Sequence, residues 1–190
     1  METYSHAFFT WALAKHGVEA GRAAGIAGAV GAAFPDLPSF AGTAYYVGTA
    51  YVREGWGSMH SEGLLDAIYF NGPFGGTGSA LHSVVPVVAL LVLYRVLGLS
   101  RHDRRRILLW FLLGWLGHTI VDFLTHVDDT RPLLWPISDW EWSSPISYYN
   151  PLYYGREFFA VSHGLMLLIV SWLLLKRVVS RGTRAKVPPE

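Results

Sequence analysis

The sequence predicts an all-α protein, an integral-membrane bundle of four to five helices. Charged residues make up only 15% of the 190 residues and hydrophobic residues 52%, whereas soluble domains carry about 25% charged residues. Three apolar runs, at 81–99, 107–127 and 158–179, approach the roughly 20 residues that a helix needs to cross the hydrocarbon core. One of them carries regularly spaced polar residues, which points to a buried site within the bundle.

The composition also limits the classes of partner and metal site that the protein can have. The length suits a single domain over residues 1–190, with a basic tail at 180–190. A net charge of +1 argues against a nucleic acid partner. There are no cysteines, which excludes disulfides and thiolate metal ligands. The first residues lack the basic start of a cleaved signal, so we expect insertion through segments that stay.

The first half of the chain predicts short helices and loops. A short apolar helix covers 6–15, and an Ala- and Gly-rich helix covers 20–34, a composition that permits close helix packing. Pro35 and Pro38 are expected to end it. The Gly-rich, aromatic stretch 39–80 predicts loops around one short helix near 61–70, with His60 exposed to solvent.

The second half sets the expected topology. The basic cluster at 101–106 and the basic tail both belong on the cytoplasmic side. We therefore expect a multi-pass protein of the inner membrane whose C-terminus is cytoplasmic, with His16 and His102 at cytoplasmic turns. The aromatic segment 128–156 then lies at the outer boundary, where tryptophan and tyrosine are favoured.

His118, Asp122 and His126 follow one another at intervals of four residues. With 3.6 residues per turn, this spacing places all three side chains on one helix face. At about 1.5 Å rise per residue the two histidines lie roughly 12 Å apart along the axis, too far to share one ion. We predict two metal ions, His118 with Asp122 on one and Asp122 with His126 on the other. The alternative is a stripe that hydrogen-bonds across the bundle interior.

The topology brings further candidates to the same outer level. His6, Asp36 and His82 are expected ligands, although each also fits an ordinary role at a helix end or turn. His163 is a further candidate that fits a buried core histidine as well. Arg131 or Arg156 could hold a phosphate through the guanidinium fork, or could simply be solvated.

These residues resemble a known family. His6, Phe34-Pro35-Asp36, Leu81-His82-Ser83, the helix from Gly117 to His126 and the segment Pro132 to Pro136 resemble, in order, the membrane-bound metal-dependent hydrolases of bacteria and archaea. The family is also called the LexA-binding, inner-membrane-associated hydrolases. The resemblance covers residues 6 to 165, and the order of ligands is similar to that of zinc-dependent phospholipase C.

The resemblance implies a zinc-phospholipase-C-like helical fold with six metal ligands: His6, Asp36, His82, His118, Asp122 and His126. The phospholipases also carry a later His-x3-Glu pair. Here the nearest residues, Glu157 and His163, come in the reverse order, so they are only candidate ligands and a third ion is in doubt.

The expected function is metal-dependent hydrolysis of a phosphoester, with a lipid as one such substrate, at the membrane surface. Asp122 would bridge two ions and Asp36 would orient the attacking water. Zinc suits the imidazole-rich ligand set, and manganese, iron or nickel fit it nearly as well. The expected partners are the bilayer and this substrate, and no protein partner is specified. A haem-binding protein and a non-enzymatic, metal-bearing interaction or regulatory protein are the alternatives.

Overall fold

The computed structural model describes residues 1–54 and 62–184. Within those residues every regular element is helical, which confirms the all-α prediction. His60 and most of the basic tail, for which we predict exposure, lie outside the described residues.

Eight α-helices follow one another in the described chain, and four shorter helical turns connect them. The α-helices are α1 Thr3–Ala12, α2 Arg22–Ala33, α3 Leu37–Glu54, α4 Glu62–Tyr69, α5 Gly72–Leu81, α6 Val84–Val96, α7 Ile107–Phe123 and α8 Gly155–Arg184. The turns are a π-helical turn Leu13–Gly17 and the 3-10 turns Phe34–Asp36, Leu99–Arg101 and Pro151–Tyr153.

The close approach of α2 to α7 depends on glycine. A methyl group at Gly31 would overlap the backbone carbonyl of Phe111, and one at Gly114 would overlap the carbonyl of Gly28. Small residues let two helices pack backbone to backbone, which is a common way to join helices in a membrane. The Ala- and Gly-rich composition of α2 thus brings its last turn beside His118.

The largest apolar core lies between α6 and α7, beside the candidate ligands. Val87 and Tyr94 of α6 pack with Leu112 and Trp115 of α7, and all four side chains are buried. The Trp115 indole N–H donates to the carbonyl of Leu81, 2.6 Å away, at the end of α5. This bond ties α7 to the residue before His82, so the core also positions the site.

The short helix predicted near 61–70 is confirmed by α4, but the loops predicted around it over 39–80 are wrong, because α3 and α5 occupy most of the rest of that stretch. Pro38 and Pro73 lie in the first turns of α3 and α5, where no intrahelical N–H bond is needed. Gly42 packs closely on Phe74, so glycine here serves helix contact. Pro35 likewise lies in a 3-10 turn that leads into α3, and the chain stays helical there.

Two expected helix boundaries are also wrong. The helix predicted over 107–127 ends at Phe123, so His126 lies three residues beyond it. The break in the run 81–99 falls at His82 and Ser83, because the Ser83 hydroxyl accepts the N–H of Val85 and caps α6. The sequence predicts this break at Pro86, but Pro86 lies in the first turn of α6 and does not interrupt that helix.

One described helix is long and apolar enough to cross a membrane. It covers Gly155–Ser180 of α8, with a mean hydropathy of 2.2 and only 6% of that window buried. Helices α5 and α6 meet at 54° and together would make a second candidate, whereas α7 is apolar but has only 17 residues. Of the three expected spans only the last qualifies alone, and the multi-pass bundle stays a prediction.

Candidate metal centre

Asp122, in the last turn of α7, is buried and lies at the centre of the predicted ligands. Its Oδ1 is 2.7 Å from His6 Nε2 and 2.7 Å from the backbone nitrogen of Met1. Three histidines face Oδ2 through their Nε2 atoms: His118 at 2.9 Å, His126 at 3.4 Å and His82 at 3.5 Å. The two sides of one carboxylate therefore face different ligands.

This arrangement differs from the partition that the helical spacing predicts. We expected His118 and His126 on opposite sides of Asp122, but both face the same oxygen because the chain turns after Phe123. His6, delivered by α1, faces the other oxygen instead.

Asp36 completes a compact group of four side chains. It follows α2 in the 3-10 turn, and its Oδ1 lies 3.3 Å from His82 Nε2 and 3.6 Å from His118 Nε2. One ligand atom from each of Asp36, His82, His118 and Asp122 lies within 4.8 Å of every other, so this group could hold a metal ion. Burial raises the pKa of Asp36, but hydrogen bonding to His82 and the charges of His118 and His82 outweigh it and bring it to about 2.

The histidine orientations suit metal binding. His118 Nδ1 donates to the carbonyl of Ala32, and His82 Nδ1 donates to that of Gly78, each over 2.7 Å. Both carbonyls belong to last helical turns, and that of Gly78 also accepts the backbone N–H of His82 over 3.0 Å. When each ring carries its single proton on Nδ1, its Nε2 is free to bind a cation, and the two Nε2 atoms lie 3.1 Å apart beside two carboxylates. The four side chains could therefore hold a metal ion, and a backbone bond on the far ring nitrogen is typical of metal-ligating histidines.

Arg131 places a cation at the edge of this group. Its Nη1 lies 2.7 Å from His82 Nδ1, the same atom that contacts Gly78. That nitrogen cannot both donate and accept, and the carbonyl can only accept, so we assign the proton to the bond with Gly78. Burial lowers the pKa of Arg131, against the opposing effect of Asp36, Asp122 and Asp129. In the described part of the chain no carboxylate lies within ion-pair distance of Arg131.

His126 is oriented by a carboxylate of its own. Its Nδ1 lies 2.9 Å from Asp129 Oδ2, while its Nε2 faces Asp122. Burial lowers the pKa of His126, but hydrogen bonds to Asp122 and Asp129 raise it more strongly, to about 9. The second oxygen of Asp129 is buried and has no hydrogen-bond partner among the described residues, which leaves an open acceptor beside the cluster.

A cavity of about 150 Å³ opens onto the cluster. Its charged and histidine lining includes Asp36, Asp122, His126, Asp129 and Arg131. The other lining residues are Met1, Glu2, Thr3, Ser39, Phe40, Tyr69, His82 and Tyr148. Burial raises the pKa of Tyr148, helped by Asp129, so its hydroxyl keeps its proton and can donate. The side chains of Phe40 and Tyr69 are 55% and 39% exposed, so an aromatic rim borders the opening.

Three candidates lie apart from the cluster. His163 Nε2 is 2.7 Å from the Tyr4 hydroxyl, and its ring stacks on Phe159 at 3.8 Å. Arg156 and Glu157 are exposed in the first turn of α8 and do not line the cavity.

Several residues of the site carry no metal-ligand motif in the sequence. The Thr3 hydroxyl donates to Asp36 Oδ2, and the spacing of three residues from Thr3 to His6 could have indicated a shared helix face. The Met1 nitrogen and Tyr148 come to the site only through the fold. Asp129 follows His126 by three residues, but only the turn after α7 makes the pair.

Comparison with known proteins places the chain in a family. No curated protein and no solved structure matches the sequence significantly. The model of the YdjM inner membrane protein family matches residues 1–183, nearly the whole chain, and includes every residue of the cluster. The chain therefore belongs to the YdjM inner membrane protein family.

Proposed function

We propose that this chain is a membrane-bound, metal-dependent hydrolase that cleaves a phosphoester, such as a lipid headgroup, at the membrane surface. One observation carries the proposal: Asp36, His82 and Asp122 of the converging group line one cavity with Arg131, a cation that has no carboxylate partner among the described residues. A cluster that binds a cation beside a guanidinium suits an anionic substrate.

The ligand set accommodates two ions. His82, His118, Asp36 and Oδ2 of Asp122 would hold one ion, with His126 adjacent. Oδ1 of Asp122 and His6 would contribute to a second, so that Asp122 bridges as the spacing predicts. Zinc is favoured by the imidazole ligands, and manganese, iron and nickel remain suitable. The similarity to zinc-dependent phospholipase C belongs to this proposal.

Different residues of the site would serve different steps of phosphoester hydrolysis. A bound divalent ion would supply an activated water and neutralise charge on the substrate. Arg131 would grip a non-bridging phosphate oxygen through its fork, and the Tyr148 hydroxyl would donate to another. Asp36, ionised and only partly buried, would accept a proton from the water that it orients. Asp36 would also serve as a ligand, and the other residues that hold the ions would be His6, His82, His118, Asp122 and His126.

The family supports an inner-membrane location. We propose several passes, with the cluster facing the extracytoplasmic side and the end of α8 in the cytoplasm. The exposed Arg101, Arg104 and Arg105 before α7 and the basic end of α8 support this orientation through the positive-inside rule.

The alternatives differ in what they need from the site. The 3.1 Å between His82 Nε2 and His118 Nε2 leaves no room for a macrocycle between them, so this pair does not suit haem. A regulatory or interaction protein with a structural ion is a real second candidate. Its support is that the four grouped ligands come from three separate places: the turn after α2, the end of α5, and α7. An ion that joins these segments would stabilise the fold without turnover.

Elemental analysis and turnover assays separate the two candidates. Protein purified without chelator is expected to hold one to two ions per chain and to hydrolyse phosphodiester or phospholipid substrates. Arg131→Gln should keep the ions and lose most turnover, because Arg131 contacts substrate and not metal. Bound ions with no hydrolysis across phosphomonoester, phosphodiester and phospholipid substrates would favour the structural ion, and the absence of ions would overturn both.

A further inference from the structure

A second site lies at the other end of α1 from His6. A groove runs between the end of α1 with its π-helical turn and the second half of α8. Its basic part has a volume of about 350 Å³ and is lined by Trp11, Lys15, His16, Leu173, Leu174, Lys176, Arg177 and Ser180. None of these residues belongs to the metal centre.

Three permanent cations and one histidine meet in this basic part. Lys15 and His16 come from the π-helical turn, and Lys176 and Arg177 come from α8. No carboxylate among the described residues forms an ion pair with these cations, because every such pair in that part of the chain involves Asp36, Asp122 or Asp129. The positive charge of the groove is therefore not neutralised within the described protein.

Aromatic rings hold the two lysines at the groove. The Lys15 ammonium lies 4.8 Å from the centre of the Trp11 ring, and the Lys176 ammonium lies 5.2 Å from that of Trp172. Such cation–π contacts position a charge without cancelling it. The His16 ring packs edge-on against the Trp11 ring, with 5.1 Å between the ring centres. Trp11 therefore contacts both Lys15 and His16 at the basic part of the groove.

An apolar groove of about 430 Å³ adjoins the basic part. It is lined by Phe9, Ala12, Leu13, Gly17, Ile169 and Trp172, and His16 lines both parts. On α8 the apolar part uses residues 169 and 172, whereas the basic part begins at 173 and continues to 180. The apolar part thus lies farther along α8 from its basic end.

We propose that this groove binds one anionic phospholipid, with the headgroup phosphate against Lys15, Lys176 and Arg177 and an acyl chain along Leu13 and Ile169. Charge complementarity selects the phosphate, and the adjoining apolar groove selects a lipid over a free anion. Basic pockets between helices at the cytoplasmic membrane surface recognise such headgroups. The inference depends on the family's membrane location and not on hydrolysis at the metal centre.

Lipid titration of the full chain tests the site. Purified protein in neutral detergent is titrated with fluorescent phosphatidylglycerol and with phosphatidylcholine of the same chain length. We expect phosphatidylglycerol to bind at least about tenfold more tightly, since the cations of the groove attract its net negative charge and phosphatidylcholine carries no net charge. The variant Lys15→Gln/Lys176→Gln/Arg177→Gln should lose this preference.

The variant Arg101→Gln/Arg104→Gln/Arg105→Gln is the matched control, because it removes three exposed cations before α7. It should keep the preference, and both variants should keep the wild-type helix content, measured by circular dichroism, as a check of folding. An equal loss in both variants would show a general surface charge effect and overturn the site. Displacement of the lipid by millimolar inorganic phosphate, with no effect of Leu13→Ser, would show an anion site and overturn the lipid assignment.

Discussion

Helices α7 and α8 are both apolar, yet they lie in opposite surroundings. In α7 the side chains of Trp110, Leu112 and Trp115 are buried against neighbouring helices, whereas only 6% of the apolar window of α8 is buried. The difference comes from small and polar residues. Gly114 admits the backbone of α2, while Gly164 of α8 faces open space. Apolarity alone therefore does not distinguish a helix packed inside the protein from one that is largely exposed.

The largest expected effect lies at the ligand end of α7. Asp122→Ala should remove both ions and reduce hydrolysis to background, because this carboxylate faces every histidine of the cluster. Glu157→Gln on α8 is the matched control and should leave both unchanged. Ion content is counted by elemental analysis. Full metal content in Asp122→Ala would refute the bridging role.

The second prediction contrasts the two glycines. Gly114→Ala should lower the free energy of unfolding by about 3 kcal/mol, because the new methyl group meets the backbone of α2 and the helices must separate. Gly164→Ala should leave stability unchanged or raise it by up to about 1 kcal/mol. Denaturant titration in mixed micelles measures both. Equal effects would mean that α8 is packed as tightly as α7.

The third prediction contrasts two leucines. Leu112→Ala should lower the free energy of unfolding by about 2 kcal/mol, mainly through the cavity left beside Trp115. In a membrane the burial of the leucine side chain itself contributes less, because lipid tails are as apolar as leucine. Leu167, which is 69% exposed, should tolerate alanine within about 0.5 kcal/mol. Thermal unfolding of the purified variants ranks them. A larger loss at Leu167 would indicate a protein partner on α8.

The last prediction concerns the turn after α7. In the ion-free protein the pKa of His126 is about 9, so at pH 7 it carries a proton that must leave before it can bind an ion. The dissociation constant should therefore rise about tenfold for each unit that the pH falls below 9. Titration with zinc at pH 7 to 9 measures this slope. His126→Asn should flatten it, and His163→Asn on α8 should not.

Local periodicity predicted the central part of the site. Spacing by four residues is enough to place His118 and Asp122 on one helix face, and the helix from 107 forms as expected. Local periodicity could not predict where α7 ends, because no proline or glycine that would stop a helix lies between Gly117 and His126. Hydrogen bonds from residues distant in sequence hold the chain after α7 in its non-helical conformation: the Ser144 N–H donates to the carbonyl of His126, and the Tyr148 N–H donates to that of Thr125.

The helices within 39–80 show a second limit of local sequence patterns, which predicted loops where helices form. Glycine and proline read locally as loop formers, but Gly42 and Pro73 serve the contacts and first turns of α3 and α5. Arg131 was a sequence candidate because a cation follows the stripe. Tyr148 was not, since nothing in its spacing relates it to His126, whose ring lies 5.0 Å away.

The sequence separation of the ligands has a consequence for the order of synthesis. Asp122 follows His6 by 116 positions, and His118 follows its backbone partner Ala32 by 86. Because a ribosome delivers the N-terminal segments first, His6 and Asp36 emerge long before α7 can meet them. The nascent chain therefore has no complete ion site until α7 has joined α2. Any metal ion would therefore bind after this late assembly step, to the finished bundle and not to its early helices.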